Sequence, residues 1–516
     1  MFEMGVMKDF KKQLLDIVTE PNLSFRQKSR NLALAADSLL PMPTVSKAVT
    51  DAMASGQICD MLEGHAPYKP RYVLPDYALF LEQGSEYLEL SPATDLDEAL
   101  NHLLILYHHV PSVTDLPVFL GHLDSLLLPY LGDLDKAAIH KKLKLFWIQL
   151  DRTFPDAFVH ANIGPSDNVI SRIILSIDAE LEQIVPNLTF MYDAAVTPDD
   201  LLRQVTANIC ACSKPHVANY PVHHAAFENT GFGIVSCYNV LPLGGGANTL
   251  VRLNLKRVAE SAVDIDDFFE QQLPYYSGLM FELIESRTKI LHQDSGFFES
   301  FLVREELIHE DRFAPMWGVY GMAEAVNCLS GSEDSTVRYG HDQSQNALGH
   351  KISATLDAIV SNTAVTHGLD NRALLHSQAG LSIDEGVTPG TRIQYGNEPD
   401  VIEHIRAMAA HHQYYTSGIS DILTIDETVK ANPEAMYQLC KGALGLGLRE
   451  FTANVASNDL VRVTGYMIKL SDIEAFKECG SRKDTTVLGA EAAEKTGILE
   501  RKPRVISREF EAGISQ

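Results

Sequence analysis

The sequence predicts one large α/β domain wrapped by an outer layer of helices. Three observations lead there. The first 150 residues carry mostly helical periodicity, and from about Leu181 short apolar runs alternate with helical segments. The 516 residues, 45% of them hydrophobic, are enough for a single large core. No internal repeat, low-complexity tract or charge block divides the chain.

Taken in order, residues 97–109 set Leu100, Leu103, Leu104 and Leu106 near one helical face, and Pro111 ends the segment. Residues 120–130 and 136–151 read as two further amphipathic helices. Residues 188–192 read as a strand. Thr197-Pro198-Asp199-Asp200 then predicts a helix start, with Thr197 as the N-cap and Pro198 in the first helical position. Strands are expected at 217–222, 233–243, 316–320, 379–383 and 423–425. A helix is expected over 248–262, capped by Asn248 or Thr249 and preceded by a turn at Gly244-Gly245-Gly246.

Near the C-terminus, Val461 and Val463 alternate with Arg462 and Thr464, as in a short half-buried strand. Gly465 stands where that strand would continue, before Tyr466-Met467-Ile468-Lys469-Leu470. A glycine inside a strand packs no side chain and loses the most backbone freedom, so it usually marks a bulge or a close backbone approach. Glycine has a chemical distinction as well. Its Cα carries two hydrogens and no Cβ, so loss of one hydrogen lets the centre flatten and share the unpaired electron with the flanking amides.

Composition limits the partners. Lys and Arg total 42 against 68 Asp and Glu, a net charge of −26, which excludes gripping a phosphate backbone or an anionic membrane. Met1-Phe2-Glu3-Met4-Gly5 does not open a signal peptide, and the longest apolar stretches, such as 103–107, are too short to span a bilayer. A soluble cytoplasmic protein is expected, with no nucleic-acid or membrane partner. The cysteines are Cys59, Cys210, Cys212, Cys237, Cys328, Cys440 and Cys479, odd in number and sparse, so no disulfide framework is expected. Cys210-x-Cys212 has neither the spacing of a metal knuckle nor a second pair. The pairs His108-His109, His223-His224 and His411-His412 point apart on any regular element, so no metal site is expected.

Cys237 lies in the apolar run 231–243, near mid-chain. A cysteine in such a run is more often a small buried hydrophobe than a nucleophile, and no neighbour in sequence would activate it as a thiolate. The glycines at 244–246 ahead of a helix could cradle a phosphate, but they match neither the dinucleotide nor the Walker pattern.

Arg462-Val463-Thr464-Gly465-Tyr466 followed by an apolar strand resembles the radical-bearing loop of the glycyl radical enzymes. Their cysteine loop is likewise followed by glycine, alanine and asparagine, here Gly246-Ala247-Asn248. Residues 185–200, 317–325 and 385–392 also resemble the family, especially its anaerobic ribonucleotide reductase branch, so the resemblance covers roughly 180 to 480. Length and motifs together are most similar to the YjjI-type members. The resemblance implies a ten-stranded α/β barrel of two half-sheets, entered from opposite ends by the Cys237 loop and the Gly465 loop. It divides one catalytic unit into a mainly helical part at 1–150, a barrel with the cysteine loop at 151–430 and a glycyl radical region at 431–516. It further implies that Gly465 stores a radical, that Cys237 receives it and abstracts hydrogen from a small-molecule substrate, and that the protein is a homodimer. No permanently bound cofactor is implied. A separate activase, with a [4Fe–4S] cluster and S-adenosylmethionine, would install the radical.

Beside the cysteine this sequence departs from each branch. Pyruvate formate-lyases carry two adjacent cysteines, where this chain has Ser236-Cys237. The diol, glycerol and choline lyases place a glutamate two residues after the cysteine. Here that position is Asn239, which cannot act as a carboxylate base. Anaerobic ribonucleotide reductases have a C-terminal four-cysteine zinc site, and this tail holds only Cys440 and Cys479. A lyase or isomerase acting on a small polar metabolite is the first expectation. A reduced ribonucleotide-reductase-like enzyme or a non-catalytic relative are the alternatives. Asn239, Glu324 and His341 are the expected substrate contacts, each with a purely structural role as its alternative.

Overall fold

The computed structural model describes residues 2–37, 43–61, 68–113, 119–153, 158–331, 338–377, 380, 384–419, 421–463, 467–480, 490, 493–495 and 498–506. Its strands, in chain order, are β1 (Ile58–Cys59), β2 (Tyr72–Leu74), β3 (Phe119–His122), β4 (His160–Ile163), β5 (Asn187–Tyr192), β6 (His216–Asn219), β7 (Phe232–Val235) and β8 (Asn239–Pro242). They continue with β9 (Gly245–Asn254), β10 (Phe313–Tyr320), β11 (Leu374–His376), β12 (Asp421–Ile425), β13 (Glu450–Val455), β14 (Leu460–Arg462) and β15 (Met467–Lys469). Two sheets organise them. One has the order β12-β13-β6-β5-β4-β3; the other runs β1-β9-β10-β11, with β2 also on β9. A parallel bridge from Ser377 to Ile419 links the far side of β11 to the approach to β12. The fold is therefore mixed α/β with two half-sheets, of six and five strands, among the described residues.

Each sheet is buried on both faces, but the two faces differ in chemistry. On the six-stranded sheet, Ala161, Leu188, Phe190, Val217, Phe451 and Ala453 point outward into one apolar cluster. The helices Val169–Leu181, Asp199–Cys212 and Pro433–Gly445 cover that face through residues such as Ile174, Val205 and Leu439. The alternate positions are polar and equally buried: His160 and Asn162, Asn187 and Thr189, His216, Glu450 and Thr452. On β9 to β11, Val251, Leu253, Trp317, Val319 and Leu375 pack against the helix Leu273–Gln293. Arg252 and Gly318 stand opposite, and His376 faces Gly318 in the register. Apolar faces toward the helices and polar faces toward the interior leave a polar centre inside an apolar shell.

The hairpin β7–β8 enters that centre. Asn162 Nδ2 donates to Ile234 O at 2.8 Å, and Ile234 N–H donates to Asn162 Oδ1 at 2.8 Å. On the other side Val240 N–H donates to Ser417 O at 3.1 Å. Gly233 is required here, because a Cβ would sit 2.8 Å from the Phe119 ring and 2.9 Å from Leu74.

Several sequence expectations hold and others shift for identifiable reasons. The helix 136–151 appears as Lys136–Thr153, and the strands 188–192, 316–320 and 423–425 appear within β5, β10 and β12. The expected helix 120–130 begins instead as β3 and becomes helical at Leu123–Leu127. The strand 217–222 gives way to a helix, Tyr220–Ala226, after Asn219. Pro198 is the N-cap of Asp199–Cys212, while the Thr197 hydroxyl donates to Pro165 O at 2.9 Å instead of capping. Position 379–383 falls outside the described residues apart from Gly380.

The largest correction concerns 244–262. The expected turn and helix are a ten-residue central strand, β9, and the helix starts only at Leu255, capped by Asn254. The strand is buried along its whole length, its polar residues Asn248, Thr249, Arg252 and Asn254 included, so exposure gives no alternation to separate it from a helix. Gly245 and Gly246 serve strand packing: a Cβ on Gly245 would lie 1.9 Å from Arg312 O, and one on Gly246 would lie 2.0 Å from Tyr72 O.

Candidate active site where two hairpins meet

The expected strand 233–243 is two antiparallel strands, with Val235 opposite Asn239 and only Ser236, Cys237 and Tyr238 in the turn. Such a short turn forces Ser236 and Tyr238 to φ 49° and 61°, the left-handed region that residues with a Cβ seldom occupy. Backbone of that kind persists only where surrounding structure holds it, and it gathers at functional sites. Cys237 is 7% exposed and packs within the apolar cluster that also holds Val235, Leu241 and Leu250. The thiol therefore sits at a dry tip inside the protein.

Tyr238 turns the opposite way and is fully buried. Its ring stacks on His216, with centroids 3.6 Å apart and planes 12° from parallel, and His160 meets it edge-on at 5.8 Å. Thr189 Oγ1 lies between those two histidines, 2.7 Å from His160 Nε2 and 3.2 Å from His216 Nδ1. Burial, reinforced by the Arg462 cation, holds both imidazoles neutral; His160 is pushed down to about 3. Glu450 lies beyond His216, 3.9 Å from His216 Nε2 and from His223 Nε2. Burial raises its carboxyl well above the usual range, against the opposing N–H of Ile419 at 2.8 Å.

The second hairpin is β14–β15, where Leu460 pairs with Lys469, Val461 with Ile468 and Arg462 with Met467. The single interrupted strand expected over this stretch is therefore a pair of strands. Thr464, Gly465 and Tyr466 lie outside the described residues. Arg462, three positions before the glycine, is fully buried. Its Nη1 donates to the Tyr238 hydroxyl and, at 2.9 Å, to Asn187 Oδ1, while Nε donates to Ser213 O at 3.2 Å. Its backbone is fixed in both directions by Asn454, at 2.8 and 3.0 Å. Burial pushes the guanidinium down to about 9. The base of the glycine hairpin thus touches the residue next to Cys237, although the two are far apart in sequence.

Of the other expected site residues, only Asn239 belongs to this centre. It opens β8, fully buried, with Nδ2 donating to Val235 O at 3.2 Å across the turn. Glu324 instead accepts from the Thr388 hydroxyl at 2.6 Å and from the Thr388 N–H at 3.1 Å, pinning the 385–392 loop. His341 is exposed and bonds to Asn397 O at 2.5 Å. Neither bond involves the cysteine hairpin. Sequence reasoning did not find Tyr238, His216, Glu450 or His376. For His216, Glu450 and His376 the signal was polar residues alternating with apolar ones in short strands, a pattern that ordinarily marks a solvent face, while Tyr238 in the turn gave none.

Comparisons with known proteins bear on the family and the fold. The sequence model of a family described as "Glycyl radical enzyme YjjI-like" matches residues 23–504. The chain is 58% identical over 501 residues to "Uncharacterized protein YjjI" of Escherichia coli (strain K12), covering 97% of each. It is 36% identical over 506 residues to an "Uncharacterized protein" of Haemophilus influenzae (strain ATCC 51907 / DSM 11121 / KW20 / Rd), covering 96% of this chain and 97% of the other. Solved structures share the fold at low identity. The B12-independent glycerol dehydratase of Clostridium butyricum superposes with a TM-score of 0.73 at 12% identity, covering 96% of this chain and 88% of the dehydratase. The anaerobic ribonucleotide reductase of Thermotoga maritima superposes at 0.68 and 13%, covering 92% and 95%.

Proposed function

Because this chain belongs to the YjjI-like family of glycyl radical enzymes, we propose that Gly465 stores an unpaired electron and that Cys237 draws on it to abstract hydrogen from a small polar substrate. One observation carries the reading. The Arg462–Tyr238 contact ties the strand leading to Gly465 directly to the turn that holds Cys237. A cysteine that must exchange a hydrogen atom with a glycine needs the two loops held together in a dry site. A neutral thiol suffices for that exchange, so no base beside the sulfur is required.

The step balances simply. The S–H bond of Cys237 breaks as a Cα–H bond of Gly465 re-forms. The resulting thiyl then takes one hydrogen atom from a substrate carbon, re-forming S–H and leaving the unpaired electron on that carbon. A lyase or isomerase outcome follows most readily from a carbon radical beside a polar group. A separate radical S-adenosylmethionine activase would install the glycyl radical, and the working protein would be a cytoplasmic homodimer.

Cys237→Ser tests this reading. The exchange keeps the shape of the turn, and the mutant should fold and accept the radical at Gly465. A serine hydroxyl holds its hydrogen too tightly for the next transfer, so turnover and exchange of substrate hydrogen with solvent should vanish. Retained activity in Cys237→Ser, with loss in a Cys210 or Cys212 serine variant, would overturn the assignment.

A further inference from the structure

Asn239 cannot supply a carboxylate beside the cysteine, so the question is what holds a substrate there. Among the buried polar atoms that no protein group meets in the described interior, two flank the cysteine hairpin at Ser417. One is Oδ1 of Asn239, whose Nδ2 is already committed to Val235 O; the residue is fully buried, and Oδ1 has no partner. The other is Nε2 of His376, on β11, also fully buried and also without a partner.

These two residues flank one contact. His376 Nδ1–H donates to Ser417 O at 2.8 Å, and the N–H of Val240, the residue after Asn239, donates to the same oxygen at 3.1 Å. Ser417 in turn donates its hydroxyl to Val240 O at 3.2 Å, and its N–H donates to Leu375 O at 3.0 Å. Ser417 is thus a spacer between β11 and the cysteine hairpin. The bond to Ser417 O also fixes the imidazole tautomer: with the hydrogen on Nδ1, Nε2 presents a lone pair. Burial, with the Arg252 and Arg71 cations adding to it, pushes His376 down to about 4 and keeps that lone pair free of a proton. The nearby Arg252 guanidinium is directed at Asp384, at 2.8 and 2.9 Å.

A buried acceptor left unmet costs stability, so a pair of them around one turn marks a place where a ligand completes the bonding. We propose that His376 Nε2 and Asn239 Oδ1 form the polar anchor of the substrate site, accepting hydrogen bonds from a small molecule that carries hydroxyl or amino donors. The class excluded is the acceptor-only carboxylate or phosphate, which would place lone pair against lone pair. The inference rests on the reading of Cys237 as the hydrogen-abstracting residue.

Calorimetric titration of the full-length, unactivated protein tests it with three probes: 1,2-propanediol, 1,2-dimethoxyethane and malonate. The diol and the ether have their oxygens on adjacent carbons, but only the diol has donors; malonate supplies acceptors and charge. The diol should bind, the other two should not, and His376→Ala should weaken the diol about tenfold or more. His376→Gln, whose amide oxygen is able to accept in place of Nε2, should recover part of that loss. Equal binding of the ether, binding of malonate, failure of the diol to bind, or unchanged binding in a folded His376→Ala would each overturn the anchor. A diol that binds while the activated protein carries no glycyl signal would leave the anchor standing and remove the radical function. The reverse pattern would remove the anchor alone.

Discussion

A double-mutant cycle on Arg462 and Tyr238 measures whether the two hairpins are energetically joined. Arg462 is fully buried and bonded to Tyr238, Asn187 and Ser213. Arg462→Ala leaves those three acceptors without their donor, so its cost is several kcal/mol, roughly 3–5 by comparison with other broken buried charge networks. Tyr238→Phe is milder. It keeps the ring stacked on His216 at 3.6 Å and removes only the hydroxyl, the acceptor of one charged bond, worth about 1.5–3 kcal/mol. The double mutant should therefore be less destabilised than the sum of the single mutants by about 1–3 kcal/mol, the coupling of that one contact. Urea unfolding of the four proteins, with equal m-values as the check on comparability, gives the coupling directly. Additivity to within about 0.5 kcal/mol would mean that Arg462 and Tyr238 do not touch, and the hairpin junction would be wrong.

Two further outcomes follow from the same geometry. Burial holds His160, His223, His411 and His412 down to about 3 and His376 to about 4, against an ordinary 6.5. Their folded values are depressed, so the unfolded chain binds more protons below pH 6.5 and stability is lost as pH falls; Glu450, raised by burial, works in the opposite sense. Each depressed histidine pulls the same way, so their combined effect outweighs the single opposing Glu450 carboxyl. Thermal unfolding from pH 7 down to 5 should show a steep fall in Tm, and a flat profile would contradict the buried neutral histidines. Exposure of the activated protein to oxygen should cut the backbone at Gly465 and release a fragment of residues 466–516, seen by mass spectrometry. Equal cleavage of unactivated protein would instead identify a protease.

What the sequence made legible was chemistry attached to single positions. Gly465 stands out because a glycine in a strand needs a reason, and Cys237 because the run around it ends in glycines that lead into Ala247-Asn248. The alternation of elements from about Leu181 was equally readable. The error at 245–254 arose because β9 is central and buried on both faces, so polar residues such as Asn248 and Arg252 are buried too and do not mark a solvent side. His376, Tyr238 and Glu450 stayed hidden for a different reason. His376 and Glu450 are ordinary residues in short strands and Tyr238 an ordinary turn residue, and their surroundings arise only when the sheets turn their polar faces inward. Glu324 shows the converse: a conspicuous acidic residue in a family-like stretch whose bonds go to the Thr388 loop.

The most direct test of the central claim is electron paramagnetic resonance of the anaerobically activated protein. With ordinary glycine the spectrum should be a doublet near g 2, split by the one hydrogen left on the Cα of Gly465. Protein grown on Cα-deuterated glycine should give a collapsed singlet, and Gly465→Ala should give no such signal. A spectrum that ignores the deuterium, or that persists in Gly465→Ala, would place the unpaired electron elsewhere and contradict the account.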